Sequence, residues 1–166
     1  MTIDTLLPQD AASNDILLDK AFGAGRHEKA ASRLRNGLDI LPQLGLCVRS
    51  EGRLIGSLAF WPIQVGGTPA ILLGPLAVEP GRQGLGIGKA LIAAGLKRAH
   101  DLGHSYCVLV GDPAYYTQFG FQAAAPAGIV MPGNPDPKRL LALNLQNDVQ
   151  ARALLGVSGM VAGARA

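Results

Sequence analysis

The residues best suited to chemistry form a glycine-rich segment between an apolar run and a helix. Residues 81–88 contain four glycines; they follow a predicted strand and lead into a helix predicted over about Gly86–Leu102. The first N–H groups of a helix have no partner within the helix, and together with the helix dipole they attract anions. Glycines let a ligand approach the backbone without hindrance from a Cβ atom. The segment therefore predicts a phosphate-binding turn.

Two common phosphate-binding motifs do not fit this segment. A P-loop requires glycine at position 83 and serine or threonine at position 90, where the chain has Gln83 and Ala90. A dinucleotide fingerprint beginning at Gly86 requires glycine or alanine at position 91, where Leu91 stands. It also requires an acidic residue about 20 positions later, which is missing. Both nucleotide-binding motifs are therefore disfavoured.

The extended pattern resembles the acetyl-CoA loop of the GNAT N-acetyltransferase superfamily, V-x-P-x-x-[QR]-x-x-G-x-[GA]. Its five fixed positions are filled by Val78, Pro80, Gln83, Gly86 and Gly88. A random shuffle of this composition would contain the full pattern roughly 0.002 times, so the match is specific.

A second block, residues 116–121, is similar to the Y-x-x-x-G-F element of the same superfamily. The resemblance spans about residues 3–145 and is nearest to small bacterial members, whose substrates are often unassigned. It implies an α+β fold with a mixed, largely antiparallel central sheet flanked by helices. It also implies one acetyltransferase domain over residues 1–166, with residues 146–166 as a C-terminal extension.

The resemblance implies acetyl-CoA as co-substrate. Backbone N–H groups from Gln83 through Lys89 would bind the pyrophosphate, and the strand edge at Leu76–Val78 would pair with the pantetheine arm. Pro75 suits a strand that splays from its neighbour, because it donates no ladder hydrogen bond. Arg82 is a further candidate for phosphate contact. The expected cofactor-binding residues are Leu76, Ala77, Val78, Gln83, Gly84, Leu85, Gly86, Ile87, Gly88 and Lys89.

The implied reaction is transfer of an acetyl group from acetyl-CoA to a primary amine by direct attack in a ternary complex. The departing thiolate needs a proton donor, and the resemblance assigns that role to Tyr116. Tyr115 is expected to be a core residue or a substrate wall. The candidate bases that accept the amine proton are Glu28, Asp112 or a chain of water molecules, whereas Glu79 is expected to be solvated.

The resemblance implies that the acceptor is a small-molecule or peptide amine. The segment from Arg26 to Arg35 carries four cations, and the resemblance implies that the two early helices wall the acceptor side of the cleft. A basic wall favours an anionic or zwitterionic amine. Its cations are Arg26, Lys29, Arg33 and Arg35. Two alternatives belong to other classes: a non-catalytic acyl-CoA-binding sensor on the same fold, and a nucleic-acid module that uses this basic segment.

Composition excludes several classes of protein. Hydrophobic residues form 48% and charged residues 16% of the 166, which argues against disorder. Cys47 and Cys107 lack metal-ligand spacing and are expected to be buried, so no metal site is predicted. The uncharged stretch Leu54–Val78 contains prolines and a Gly-Gly turn, which favours two strands over a membrane helix. We expect a cytoplasmic monomer or homodimer that binds neither nucleic acid nor membrane.

Local signals predict the following elements. The strands are Ile3–Leu7, Leu44–Arg49, Leu54–Val65, Ala70–Val78, Tyr106–Val110, Phe121–Met131 and Arg139–Leu145. The helices are Asp15–Phe22 (capped by Asn14 or Ser13), Glu28–Asn36, Gly86–Leu102, Pro113–Phe119 and one near Val149–Leu155. Trp61 is expected to pack in the core, and residues 156–166 are expected either to fray or to dock.

Overall fold

The computed structural model describes residues 1–133, 135–146 and 158–164. The strands in this part of the chain are β1 (Ile3–Thr5), β2 (Leu46–Ser50), β3 (Arg53–Val65), β4 (Thr68–Val78), β5 (Tyr106–Val110), β6 (Gln122–Ala123), β7 (Ile129–Val130), β8 (Leu140–Asn144) and β9 (Gly159–Gly163). The α-helices are α1 (Ala11–Phe22), α2 (Ala30–Arg35), α3 (Ile87–Asp101) and α4 (Pro113–Tyr116).

The sheet is mixed and largely antiparallel, which confirms the predicted fold class. Its main path runs β1-β2-β3-β4-β5-β8-β6, and the β4–β5 pair is the parallel one in that path. The parallel ladder is short, because it pairs Ile71 with Cys107 and Leu72 with Val108 and ends there. Beyond Leu72 the two strands separate and leave a cleft between them.

Strand β4 is irregular at the point where it leaves β5. Its register against β3 moves from Leu73 to Leu76 while β3 changes only from Phe60 to Leu58, so β4 holds one extra residue. Pro75 lies within this bulge, where the lack of a backbone N–H interrupts no ladder bond. The position of Pro75 in the splayed part of β4 agrees with the prediction from sequence.

Helix α3 packs on one face of the sheet. Leu91 and Ile92 of α3 are fully buried in a cluster with Leu46 and Phe60. Gly95 allows the close approach, because a Cβ atom there would lie 2.8 Å from the Phe60 ring. Burial of each large apolar side chain contributes about 1.5–3 kcal/mol to stability. The contact between α3 and the sheet is therefore closely packed, and it positions the start of α3.

Helix α1 packs on the opposite face and begins earlier than predicted. It starts at Ala11 with Asp10 as its N-cap residue, so the predicted caps Asn14 and Ser13 are wrong and lie inside the helix. The Asp10 carboxylate accepts hydrogen bonds from the Leu7 N–H (2.8 Å) and from Arg49 (2.7 Å). These long-range and local contacts fix the helix start.

Helix α2 is shorter than the predicted helix Glu28–Asn36. Residues Ala24–Glu28 form a 3₁₀ turn, and Lys29 is extended with ψ 146°, so a new helix begins at Ala30. Glu28 therefore does not lie on the second helix. The extended Lys29 separates the basic segment into two short pieces.

The part of the chain after α4 also differs from the prediction. The expected strand Phe121–Met131 is two short strands, β6 and β7, because the 3₁₀ turn Ala125–Ala127 contains a proline. Residues 158–164 dock: β9 pairs antiparallel with Ile63–Val65 of β3 and parallel with β7. The helix predicted near Val149–Leu155 lies outside the described residues.

The uncharged stretch forms the antiparallel β3–β4 pair, as predicted. No helix in the described ranges has the length and apolar character needed to span a membrane.

Candidate active site

The turn between β4 and α3 has the geometry of an anion-binding helix start. Gly86 is the N-cap residue of α3 with a left-handed φ of 82°, a conformation that favours glycine. The helix ladder begins where the Ala90 N–H donates to the Gly86 carbonyl at 3.0 Å. The preceding N–H groups, those of Ile87, Gly88 and Lys89, have no acceptor within the helix. They are available to a ligand.

A pocket of about 380 Å³, here called the turn pocket, lies against this helix start. Eight of the ten predicted cofactor residues line it: Leu76, Val78, Gln83, Gly84, Gly86, Ile87, Gly88 and Lys89. The other two do not. Ala77 is buried beneath α1, and Leu85 is 67% exposed.

Arg82 lines the turn pocket and is held by an acidic neighbour. Its Nε donates to the Glu79 carboxylate at 3.1 Å, and Arg53 lies 3.6 Å from the other oxygen of Glu79. The Glu79 side chain is only 17% exposed, so the prediction that it is solvated is wrong. Two arginines enclose it.

Tyr115 contributes to the turn pocket, which the sequence did not reveal. Its hydroxyl lies 3.3 Å from the position that a Cβ atom on Gly88 would take. Burial raises the pKa of the Tyr115 phenol. The side chain was expected in the core or at a substrate wall; it packs against the main core cluster and also borders the helix start. On a helix, residues 115 and 116 face different directions, and this divergence is the sequence signal that separates their roles.

Tyr116 faces a second and larger space. Its ring meets Tyr115 edge-on, with 5.0 Å between ring centroids, and also packs near Phe119 and Phe121. Burial raises the pKa of Tyr116 to about 12, with smaller contributions from Tyr115 and Cys107. The phenol is therefore protonated at neutral pH, as a proton donor must be.

This larger space, here called the strand cleft, has a volume of about 520 Å³. Its walls include residues 73–76 of β4 and residues 109–112 at the end of β5, the two strands that separate after Leu72. Leu76 and Phe22 line both the strand cleft and the turn pocket. The two spaces therefore adjoin along β4.

The candidate bases lie in different surroundings. Asp112 lines the strand cleft and caps α4 by accepting the Ala114 N–H at 3.0 Å. Asp136, which the sequence did not single out, also lines the cleft and accepts the Lys138 N–H at 3.0 Å. Glu28 is exposed and is not part of the lining. The geometry therefore brings Asp112, but not Glu28, together with Tyr116.

Three of the four predicted basic residues line the strand cleft, and each has different contacts. Arg26 pairs with Asp15 at 3.1 Å and Asp19 at 2.8 Å. Lys29 lies over the Phe22 ring, 5.1 Å from its centroid.

Arg35, the third, lies over the Trp61 ring at 5.0 Å and donates to Ser32 Oγ at 3.3 Å. Burial lowers the pKa of Arg35 to about 10, with a smaller effect from Arg26. Trp61 was expected to pack in the core, and it is partly buried against the core cluster that contains Ile63 and Leu72, with this guanidinium over its ring. Arg33, the fourth predicted cation, is exposed and lies outside the lining.

The cysteines do not contribute to the site. Cys47 and Cys107 are buried, and burial raises the pKa of each thiol. A neutral buried thiol is a poor nucleophile, which disfavours an acetyl-cysteine intermediate. In the described ranges, no group of three or more His, Cys, Asp or Glu side chains could hold a metal ion.

Comparisons of sequence and of structure with known proteins point to one protein family. Residues 15–121 match the model of the acetyltransferase (GNAT) family. The chain is 37% identical over 128 residues to the uncharacterized N-acetyltransferase YhbS of Escherichia coli strain K12, and this match covers 75% of each chain. It is 31% identical over 110 residues to the uncharacterized N-acetyltransferase YjhQ of the same strain, covering 64% of this chain and 61% of YjhQ.

Solved structures agree with this relationship. The crystal structure of E. coli YhbS in complex with CoA has a TM-score of 0.79 and 30% identity, covering 98% of this chain and 89% of that chain. A GNAT family acetyltransferase from Brucella melitensis in complex with acetyl-CoA has a TM-score of 0.71 and 29% identity, covering 98% and 95%. The family model spans more than half of the sequence, and both YhbS comparisons cover most of it: this chain belongs to the GNAT acetyltransferase family.

Proposed function

We propose that this protein transfers the acetyl group of acetyl-CoA to a primary amine by direct attack in a ternary complex. One observation carries the proposal. The turn pocket, with the free N–H groups of α3, adjoins the strand cleft, with the protonated Tyr116, along Leu76 of β4. A long thioester that binds across both spaces would have its pyrophosphate at the helix start and its thioester beside the phenol.

Acetyl-CoA fits the residues of the turn pocket. The helix start supplies N–H donors and a favourable dipole for the pyrophosphate, while Arg82 and Lys89 add positive charge. The bulge at Pro75 and the separation of β4 from β5 leave backbone groups of β4 for the pantetheine amides. The crystal structures of YhbS with CoA and of the Brucella melitensis protein with acetyl-CoA support this assignment.

The reaction forms one C–N bond and breaks one C–S bond. The neutral amine nitrogen attacks the thioester carbonyl carbon, and the C–S bond breaks as the carbonyl reforms. We assign to the Tyr116 hydroxyl the hydrogen bond that stabilises the developing thiolate. Its pKa of about 12 keeps the phenol protonated, so Tyr116 donates at any physiological pH. As the amide forms, its nitrogen releases a proton to water, and the thiolate gains one through the Tyr116 hydroxyl, which water reprotonates, so the protons balance.

The amine must first lose its ammonium proton. Asp112 is the predicted base that lines the strand cleft, and one of its oxygens accepts the Ala114 N–H. A carboxylate can accept a second hydrogen bond while it caps a helix. We propose that Asp112 takes this proton through a water molecule. Glu28, which lies outside the lining, has no role in this scheme.

The alternative is a sensor that binds acyl-CoA without catalysis. The protonated Tyr116 in the cleft disfavours it, because a sensor needs no proton donor there. The deciding experiment incubates the purified protein with acetyl-CoA and a broad panel of amines, and follows CoA thiol together with the acetylated product by mass spectrometry. The proposal predicts equal amounts of thiol and acetyl-amine. Tight acetyl-CoA binding with no product from any amine would favour the sensor.

A further inference from the structure

The cations of the strand cleft differ in whether a protein carboxylate already neutralises them. Arg26 pairs with both Asp15 and Asp19. In the described part of the chain, no carboxylate lies within ion-pair distance of Arg35. The nearest partners of its guanidinium are the neutral Ser32 hydroxyl and the Trp61 ring. Among the residues that the structure describes, Arg35 is therefore a half-buried cation without a counter-ion.

The surroundings of Arg35 hold it in place and use only part of its hydrogen-bonding capacity. A guanidinium has five N–H donors, of which Ser32 Oγ accepts one at 3.3 Å. The guanidinium carbon lies over the Trp61 ring, 5.0 Å from its centroid, and this cation–π contact leaves an edge of N–H donors for a bidentate contact. Since Arg35 lines the strand cleft, this edge is accessible to a ligand bound there.

The charges around Arg35 also favour an anion. The cleft lining contains four cations, Arg26, Lys29, Arg35 and Arg139, and two carboxylates, Asp112 and Asp136. Each of these carboxylates already accepts a backbone N–H at a helix start. Burial, with a smaller effect from the neighbouring Arg26, lowers the pKa of Arg35, because a desolvated cation is disfavoured. An anion in the cleft would offset that cost of desolvation.

We infer that the amine acceptor carries an oxyanion, a carboxylate or a phosphate, and that Arg35 binds this group. The inference rests on the proposed acetyl transfer and narrows its substrate to amino acids, their derivatives or amino-phosphates. An amine without an anion would leave Arg35 unpaired, and a polyamine would add repulsion from the four cations. Arg35 is a specificity-determining residue in this assignment.

The test uses matched pairs of acceptors that differ only in the anion. Suitable pairs are L-phenylalanine with phenethylamine, L-lysine with 1,5-diaminopentane, and O-phosphoethanolamine with ethanolamine. For the best pair, we expect the anionic member to have a kcat/KM about 10- to 100-fold higher, as for a charge-assisted contact. The amino acid and phosphate pairs together distinguish carboxylate from phosphate.

Variants test whether Arg35 causes the preference for the anionic acceptor. The substitution Arg35→Gln should remove it through a higher KM for the anionic acceptor, with the KM for acetyl-CoA unchanged. Arg35→Lys keeps the charge but not the planar fork and should retain part of the preference. Arg33→Gln, two residues away on α2 and outside the lining, is the matched control and should behave as wild type. Melting temperatures and CoA affinity report whether each variant is folded.

Two results would overturn the inference: no preference for the anionic member in any pair, or a preference that Arg35→Gln leaves intact. If no amine accepts the acetyl group, the proposed function fails, and the inference is tested separately. Calorimetry then measures binding of the same amino acids and O-phosphoethanolamine to the CoA-loaded protein. Binding that Arg35→Gln abolishes supports the oxyanion site, whereas absent binding, or equal affinity in both proteins, refutes it.

Discussion

The Tyr116 ring lies directly against the backbone of Gly111: its Cε2 atom would be 2.5 Å from a Cβ atom built on that glycine. Gly111 directly follows β5 and lines the strand cleft. The ring occupies space that any other residue at this position would fill. The absence of a side chain at 111 therefore sets the position of the proposed proton donor.

The first prediction concerns this contact. Gly111→Ala should push the Tyr116 ring aside and lower kcat about 10- to 100-fold, since a misplacement of about 1 Å has effects of that size. CoA affinity, measured by calorimetry, should remain within error, because Gly111 does not line the turn pocket. Gly25→Ala is the matched control, as a Cβ atom at 25 meets nothing within 4 Å. Wild-type kcat in folded Gly111→Ala would show that the ring position is unimportant.

A second prediction places the pyrophosphate. Gly88→Asp introduces a carboxylate beside the helix start and should weaken CoA binding about 100-fold or more through repulsion and occupied space. Gly88→Ala is the control: its Cβ atom would lie 3.3 Å from the Tyr115 hydroxyl and 3.5 Å from Leu76, contacts that a small shift relieves. It should bind CoA nearly as wild type does. Equal calorimetric affinity of folded Gly88→Asp and Gly88→Ala would contradict a phosphate site there.

A third prediction follows from the raised pKa of Tyr116. Burial favours the neutral phenol, with a pKa of about 12 when folded against about 10 when unfolded. The associated stability is therefore fully present below about pH 10 and is lost as the pH rises towards 12, at up to about 1.4 kcal/mol per pH unit. Denaturant unfolding across this range should show a shallower decline for Tyr116→Phe than for wild type. Parallel declines would mean that the phenol is not desolvated.

Asp112 gives a fourth prediction. Asparagine is as good an N-cap residue as aspartate, so Asp112→Asn should keep α4 and the overall stability. If Asp112 draws the amine proton away, the substitution should lower kcat/KM about 100-fold near neutral pH and restore part of the rate at higher pH, where the amine is already neutral. A pH–rate profile identical to wild type would remove Asp112 from the mechanism and leave the proton to solvent alone.

Sequence reasoning succeeded where the determinants are local. The turn and α3 were predicted because Gly86, Gly88 and Pro80 act on adjacent backbone, and the apolar spacing of α3 is regular. The β3–β4 hairpin was predicted from Gly66-Gly67 for the same reason. Eight of the ten expected cofactor residues line one pocket because a single continuous segment supplies most of them.

The features that the sequence did not predict depend on contacts between distant parts of the chain. Arg49, 39 residues from Asp10, helps to fix the start of α1, and no pattern near Asn14 reveals it. The packing of α2 against the strands likewise determines the contact between Arg35 and the Trp61 ring. It also determines that Arg139 lines the strand cleft. Pattern alone shows that a segment is basic. It does not show which of the cations is already paired with a carboxylate.

The most direct test of the account is the turnover of Tyr116→Phe on an acceptor found by the amine panel. A single-turnover measurement isolates the chemical step, and Tyr106→Phe on β5, outside both pockets, is the matched control. If Tyr116 is the proton donor, Tyr116→Phe should react about 100-fold more slowly than wild type. Its CoA affinity should be unchanged, and Tyr106→Phe should be fully active. A Tyr116→Phe protein that transfers the acetyl group at the wild-type rate would contradict the account.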